Sequence, residues 1–185
     1  SERGKQQNPV TGSGGMFMGN VAKIGDDLKG KIDLKEGDRI ASLVSLSMTP
    51  LKINKILAIH QDIDRVEVDA QAILFESGLY AKLPDDMSEE LALAALDVAG
   101  APAQTRKLVN RGDSVLILGG AGKSGMLCCY EAMKRCGATG RVVALVISNE
   151  DARLLKRLRL CHEAIVVSAT EPVAVLEAAL EANGG

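Results

Sequence analysis

The sequence predicts an α/β protein, a β-rich domain followed by part of a doubly wound parallel sheet. Three observations predict it. Short β-like runs broken by glycine and turn residues fill residues 1–87, helical apolar spacing occupies a bridge at 88–111, and strand-like and helix-like runs alternate across 112–185. Clustered short strands build an antiparallel domain, whereas regular alternation builds βαβ units. The 185 residues are 46% hydrophobic and 25% charged, as in ordinary globular chains.

In the first domain the strand-like runs are Gly19–Ile24, Arg39–Leu46 and Val66–Phe75, with Lys35-Glu36-Gly37-Asp38 as a turn. Near Pro84 the pattern changes: Ser88 is the best N-cap, because its hydroxyl can accept a first-turn N–H, and Leu91, Ala94, Ala95 and Val98 follow at helical spacing. From Asp113 the order is strand Val115–Leu118, helix Ser124–Arg135, strand Val142–Ile147, helix Asp151–Arg159, strand Glu163–Val167 and helix Pro172–Ala182. Continuously apolar strands predict a parallel sheet covered on both faces, with right-handed crossovers. Asn183-Gly184-Gly185 reads as a turn toward another strand. Since a doubly wound dinucleotide fold has two such halves, the chain reads as a fragment.

Several functions are disfavoured by composition. The 22 basic and 24 acidic side chains leave a net charge of −2, which attracts no polyanion, so no nucleic-acid partner is expected. Aromatic residues are 2% of the chain, with no Trp, and provide no stacking platform for single strands. The longest apolar runs, such as Leu91–Ala95 and Val142–Ile147, fall far short of the roughly 20 residues of a membrane span. No signal peptide is expected, since Glu2, Arg3 and Lys5 are followed by no apolar run. Cys128, Cys129, Cys136 and Cys161 form no CxxC pair, and His60 and His162 are the only histidines; the expectation is reduced cytoplasmic thiols, with Cys128 and Cys129 packed in the core beside Met126, and no zinc site. Neither histidine has a carboxylate at a telling spacing, so both read as surface or loop residues.

The strongest chemical signal is Leu116-Ile117-Leu118-Gly119-Gly120-Ala121-Gly122-Lys123-Ser124-Gly125-Met126. Gly120, Gly122 and Gly125 fit GxGxxG directly after a strand and opening a helix, the context that favours dinucleotide binding over a purely structural turn. The expected roles are a tight turn at Gly120, close approach to a pyrophosphate at Gly122 and helix–strand packing at Gly125, with the helix N-terminus facing the phosphates. Gly122-Lys123-Ser124 also ends like a P-loop, but the glycine that motif needs five positions earlier is Ile117, which argues against a nucleoside triphosphatase. Lys123 reads equally as a phosphate contact or a solvated lysine. The tip of the second strand carries Val146 and no acidic residue; Ser148 and Asn149 could bond a ribose hydroxyl or a 2′-phosphate, Arg153 lies one turn on, and Ser148 reads equally as a helix N-cap. The expected cofactor is therefore NAD or NADP.

With these elements in place, Pro9, Gly19-Asn20-Val21, Ile24-Gly25 and Glu36-Gly37-Asp38-Arg39-Ile40 resemble the signature of the medium-chain dehydrogenase/reductase superfamily, which joins a GroES-like domain to a Rossmann domain. Residues 8–16, 43–55, 71–83, 96–104 and 122–130 are similar, more closely, to its diaminohexanoate dehydrogenase family. That resemblance implies a fragment lacking both ends of a longer chain, a homodimer at full length, and NAD(P)-dependent oxidative deamination of a small diamino acid in lysine fermentation. If Gly19 is the superfamily's GxV glycine, the His and Glu positions of its zinc-dependent alcohol dehydrogenases hold Gly15 and Met16, so the expectation is a zinc-independent enzyme.

Without zinc, side chains must bind the diamino acid and move protons. The glycine-rich stretch at 11–15 offers the hydroxyls of Thr11 and Ser13, although ordinary turn bonds would explain it equally. Lys52 is the candidate for the substrate carboxylate, and Glu76 for a substrate ammonium or the general base; for both the plainer reading is a solvated surface charge. Two other functions fit the residues: a zinc-independent, NADPH-dependent quinone or enone reductase, and a non-catalytic nucleotide-binding regulatory protein.

Overall fold

The computed structural model describes residues 14–184. The chain divides into two compact units, Ser1–Asp97 and Val98–Gly185, and the division falls within the expected helical bridge.

The first unit is built on a three-stranded antiparallel sheet. β1 (Phe17–Asn20) and β5 (Tyr80–Lys82) flank β2 (Arg39–Ser42), in the registers Phe17↔Ser42 and Ser42↔Tyr80. Being central, β2 is buried at Ile40, Ala41 and Ser42, and the Ser42 hydroxyl accepts the Val44 N–H at 3.2 Å, which satisfies a buried polar group locally. Both expected strands here prove shorter. β1 stops at Asn20 because Val21 pairs with the loop at 37–38 instead, its N–H donating to the Asp38 carbonyl at 2.9 Å. β2 stops at Ser42, and Leu46–Met48 forms a 3₁₀ turn capped by Ser45. The expected turn is present: Gly37 adopts φ +92, and the Asp38 carboxylate accepts the Lys35 N–H at 3.0 Å. That bond is the main cause that lowers the Asp38 pKa.

A long hairpin follows β2 in the sequence: β3 (Leu51–His60) pairs antiparallel with β4 (Arg65–Ala72). β4 matches expectation, whereas β3 and β5 have no counterpart in the sequence reading. β3 evades alternation counting because two bulges, between Ile53 and Lys55 and between Ile56 and Ala58, break its period of two. α1 (Glu89–Asp97) starts as expected, with the Leu91 N–H donating to the Ser88 hydroxyl at 3.3 Å. Its first-turn Glu89 meets Arg39 at 2.9 Å and Glu90 meets Arg65 at 2.6 Å, so the favourable acidic N-terminus also pins the helix to β2 and β4.

The second unit holds a three-stranded parallel sheet in the order β6 (Ser114–Leu118), β7 (Arg141–Val146), β8 (Glu163–Val166). α2 (Gly100–Leu108) precedes it, and α3 (Lys123–Cys136), α4 (Asn149–Arg157) and α5 (Pro172–Asn183) follow the strands in turn. α2 lies inside the helical bridge expected at 88–111, but its bounds were not legible because Gly100 and Pro102 look like breakers. Pro102 sits in the first turn, where its absent N–H has no intrahelical partner to lose. Val98, expected on the preceding helix, falls between α1 and α2. Every residue of β7 from Val142 to Val146 is buried, as a central parallel strand requires. β6 corrects the expectation of double cover: among the described residues it pairs only with β7, and Leu116 and Leu118 are exposed. The core joins Val142, Ala144 and Val146 to Cys129 and Ala132 of α3 and Leu155 of α4.

Leu155 is fully buried at the centre of this contact. Leu155→Ala is expected to destabilise the second unit by roughly 2–5 kcal/mol, read as a lowered urea midpoint at unchanged slope. A midpoint within error of the parent would show that this core does not hold α4.

Candidate functional site

Close approach shapes the junction of β6 and α3. At the end of β6 Gly119 takes φ +72, a conformation glycine reaches without a steric penalty. The chain then folds back: the Gly120 N–H donates to the Leu145 carbonyl at 2.9 Å, the Gly122 N–H to the Gly119 carbonyl at 3.1 Å, and the Met126 N–H to the Gly122 carbonyl at 2.9 Å. A Cβ on Gly120 would stand 2.8 Å from the Cβ of Ala144. On Gly125 it would collide with the Gly119 carbonyl and stand 2.8 Å from the Gly120 Cα. The tight turn thus belongs to Gly119, not to Gly120 as the motif suggested; Gly120 packs against β7, and Gly125 lets α3 press on the loop. At Gly122 a Cβ would make only ordinary contact, 3.5 Å from the Gly119 carbonyl, so the fold itself does not demand glycine there.

An open groove of about 430 Å³ runs past this loop, lined by Leu116, Leu118, Gly119, Lys123 and Ser124, with Thr105 from α2. No side-chain hydrogen bond caps α3 at Gly122, so the positive end of the helix dipole meets the groove. The loop's three glycines, Gly119, Gly120 and Gly122, and this helix terminus fit an elongated anion such as a pyrophosphate.

The parallel register, with Leu118 opposite Leu145, brings the ends of β6 and β7 level. The glycine loop and the segment Ile147–Asn149 therefore share the carboxyl edge of the sheet, where open α/β sheets take their ligands. Ser148 caps α4: its hydroxyl accepts the Asp151 N–H at 3.1 Å and donates to the Asp151 carboxylate at 2.8 Å. That reciprocal pair uses both hydrogen-bonding roles of the hydroxyl in holding the helix. Asn149 opens α4 and is exposed.

Of the residues singled out from sequence, Gly120, Gly122, Lys123, Ser124 and Gly125 thus come together around one loop, and Ser148 and Asn149 stand on the same sheet edge. Lys52 and Glu76 lie in the first unit, both exposed. Lys52 is on β3 opposite Gln71, and Glu76 sits in a turn closed by the Gly78 N–H on the Phe75 carbonyl at 2.8 Å. Thr11 and Ser13 lie outside the described residues. Gly119 and Thr105 are additions that sequence reasoning missed: an adjacent Gly-Gly pair was the available signal for the first, while the second required seeing α2.

Among the described residues no group of three His, Cys, Asp or Glu side chains could hold a metal ion, and no helix is long and apolar enough to cross a membrane. His60 pairs with Glu67 at 3.1 Å, and the Nδ1 of His162 accepts the Val142 N–H at 2.9 Å, so both have structural partners. All four cysteines are buried and free. Burial, aided by the neighbouring Cys161 and Cys128, pushes the Cys129 thiol up to about 12.

Comparison with known proteins follows the same lines. Residues 1–84 match the family described as the L-erythro-3,5-diaminohexanoate dehydrogenase N-terminal domain. The chain is 67% identical over 184 residues to the L-erythro-3,5-diaminohexanoate dehydrogenase of Acetoanaerobium sticklandii, covering 100% of this chain and 54% of that protein. It is 62% identical over 183 residues to the enzyme of the same name from Fusobacterium nucleatum, covering 99% and 53%. The chain therefore spans about half the length of these curated relatives. A mycobacterial protein solved in complex with NADPH aligns with a TM-score of 0.58 at 24% identity, over 84% of this chain and 42% of its own. Neighbours of this kind establish the fold as a GroES-like domain followed by part of a Rossmann sheet.

Two outcomes test this geometry. Gly125→Ala is expected to destabilise the second unit by more than Gly122→Ala does, because only the former drives a Cβ into backbone; equal thermal shifts would contradict the packing. Since a thiol of pKa about 12 is protonated at any lower pH, Cys129 is expected to resist a thiol reagent at mildly alkaline pH in the folded chain and to react in urea. Rapid labelling of the native protein there would contradict its burial.

Proposed function

We propose that the chain, whose residues 1–84 match the L-erythro-3,5-diaminohexanoate dehydrogenase N-terminal domain and which aligns with about half the length of curated dehydrogenases of that name, forms part of an NAD(P)-dependent enzyme that oxidatively deaminates L-erythro-3,5-diaminohexanoate. The observation that carries this reading is identity of 67% along the entire chain, together with a glycine loop whose backbone leaves room for a dinucleotide. In the overall reaction the amine-bearing carbon 3 loses a hydride, and water hydrolyses the resulting imine to 5-amino-3-oxohexanoate and ammonium.

The nicotinamide group, when bound, supplies the hydride acceptor. The chain's own residues bind and orient. The first turn of α3 and the loop Gly119–Gly122 would hold the pyrophosphate, with the Lys123 ammonium adding charge and Ser124 a hydroxyl. Asn149 is assigned to the ribose. For cofactor choice, Ser148 already donates its proton to Asp151, and Glu150 and Asp151 both carry negative charge into the first turn of α4. These features would repel a 2′-phosphate and favour NAD over NADP, since like charges brought together cost affinity.

In the first unit Glu76 is assigned to take the proton from the substrate's 3-ammonium, leaving a free amine whose lone pair forms the C=N bond as hydride leaves carbon 3. Lys52 is assigned to the substrate carboxylate, and Thr11 and Ser13 to hydrogen bonds with the substrate. No metal enters this scheme; with Gly19 taken as the GxV glycine, Gly15 and Met16 stand where zinc-dependent alcohol dehydrogenases carry His and Glu.

The test is absorbance in the reduced-nicotinamide band when the chain, extended to the length of its relatives, meets 3,5-diaminohexanoate with NAD and NADP in turn. Reduction with this substrate and not with simple alcohols, faster with NAD, is expected. Asp151→Ser should move the preference toward NADP, and Glu76→Gln should lower kcat by at least about tenfold, within the usual range for a general base. Unchanged turnover in Glu76→Gln would remove that residue from the mechanism, and stoichiometric zinc in the purified protein would refute the metal-free scheme. Reduction of quinones with indifference to the diamine would replace the proposal with a reductase.

A further inference from the structure

The segment from the end of β2 to the start of β3 carries four hydroxyls, Ser42, Ser45, Ser47 and Thr49, and three of their protons have acceptors within it. Ser42, buried, donates to the Val44 carbonyl at 3.4 Å while accepting the Val44 N–H at 3.2 Å. Thr49, also buried, donates to the Ser45 carbonyl at 3.2 Å. The Ser45 hydroxyl accepts two N–H groups, from Gly14 at 3.0 Å and from Ser47 at 3.4 Å. Those bonds occupy both of its lone pairs, so in its 2.9 Å contact with the Ser47 hydroxyl Ser45 is the donor. Ser47 accepts, and its own proton meets no acceptor among the described residues.

A chain of hydrogen bonds thus runs from the Gly14 N–H through Ser45 to Ser47, and each donor in such a chain is polarised by the one before it. The same bonds fix where the backbone passes. Gly14 stands opposite Ser45 if the register that pairs Phe17 with Ser42 is continued, and the Leu46 N–H donates to the Gly15 carbonyl at 2.9 Å. The Ser45 side chain therefore extends the ladder where the 3₁₀ turn Leu46–Met48 has taken the main chain out of it. Half-buried Ser47 is held close to Gly14, the neighbour of Ser13, which is assigned above to the substrate.

The charge of the segment selects what that proton meets. Between Asp38 and Asp62 the chain has no acidic residue and carries Arg39, Lys52 and Lys55. Arg39 pairs with Glu89 at 2.9 Å and Lys55 stands opposite Asp69, whereas Lys52, five residues after Ser47, stands opposite the uncharged Gln71. A substrate ammonium would need an anionic acceptor, which this segment lacks. A carboxylate needs donors and positive charge, which it has.

We infer that Ser47 is a substrate-binding residue that donates its hydroxyl proton to the carboxylate of the diamino acid, and that Ser45 is the positioning residue that directs it. The inference rests on the deaminating reading above and deepens it, because a hydrogen bond to the carboxylate discriminates against diamines that have none.

The test is steady-state kinetics of the chain extended to the length of its relatives, with 3,5-diaminohexanoate and with pentane-2,4-diamine, which keeps both amines and lacks the carboxylate. The diamine is read as substrate or as competitive inhibitor. Ser47→Ala is expected to raise KM for the diamino acid roughly tenfold to hundredfold, the loss of a hydrogen bond to a charged group. KM for the dinucleotide, the thermal midpoint and the affinity for the diamine should stay at the parent values, and Ser47→Thr should restore most of the loss. Ser45→Ala should raise the same KM by a smaller factor. An unchanged KM in Ser47→Ala, or equal losses on the diamino acid and the diamine, would overturn the inference while the parent enzyme's turnover keeps the deaminating reading. A parent enzyme that reduces no nicotinamide with the diamino acid would remove that reading and this inference together.

Discussion

The structure of the second unit depends on how closely α3 can approach the end of β6. The first turn of the helix lies against the loop that precedes it, and the contact is backbone to backbone: at Gly125 even a methyl group would enter the Gly119 carbonyl. Gly120 extends the same constraint sideways, since the loop is seated on Ala144 and hydrogen-bonded to Leu145 of β7. Close packing therefore sets the loop geometry, and the loop geometry sets the groove. Glycine at 120 and 125 follows from that packing, and the helix end without a side-chain cap beside it suits an anionic ligand. The site is in this sense a by-product of the way the core closes.

Much of this was legible in the sequence because parallel sheets write continuous signals. β7 is apolar from Val142 to Val146 and central, and the glycine spacing of 120, 122 and 125 appears only where a strand runs into a helix. The division of labour among the glycines was not legible. A pattern gives spacing but not φ, and the left-handed residue proved to be Gly119, one position before the motif. Ser148 had two readings, and its reciprocal bonds with Asp151 decide for the helix cap.

The first unit was harder to read for the opposite reason. Its antiparallel strands are short or bulged, so period-two counting fails at Asn54 and Leu57, and β3 stays hidden although it is the longest strand described. Within the helical bridge, the start of α2 is masked by Gly100 and Pro102, which act as breakers only inside a helix and not in its first turn. The charge pairs that hold the unit link residues far apart in sequence, such as Arg39 with Glu89 and Arg65 with Glu90, and no local pattern announces them. Lys52 and Glu76 stand out in the sequence by charge and place in the chain; both are exposed and carry no burial that would mark a site on physical grounds alone.

In the proposed enzyme the β6–α3 loop holds the phosphates of a dinucleotide. Backbone amide shift perturbation of the isotopically labelled chain on titration with NAD tests it most directly. The account predicts saturable shifts centred on Gly119–Gly125, with a second set at Ser148–Asn149 on the same sheet edge and little change across β3 and β4. Shifts absent from the glycine loop, or confined to the first unit, would contradict it.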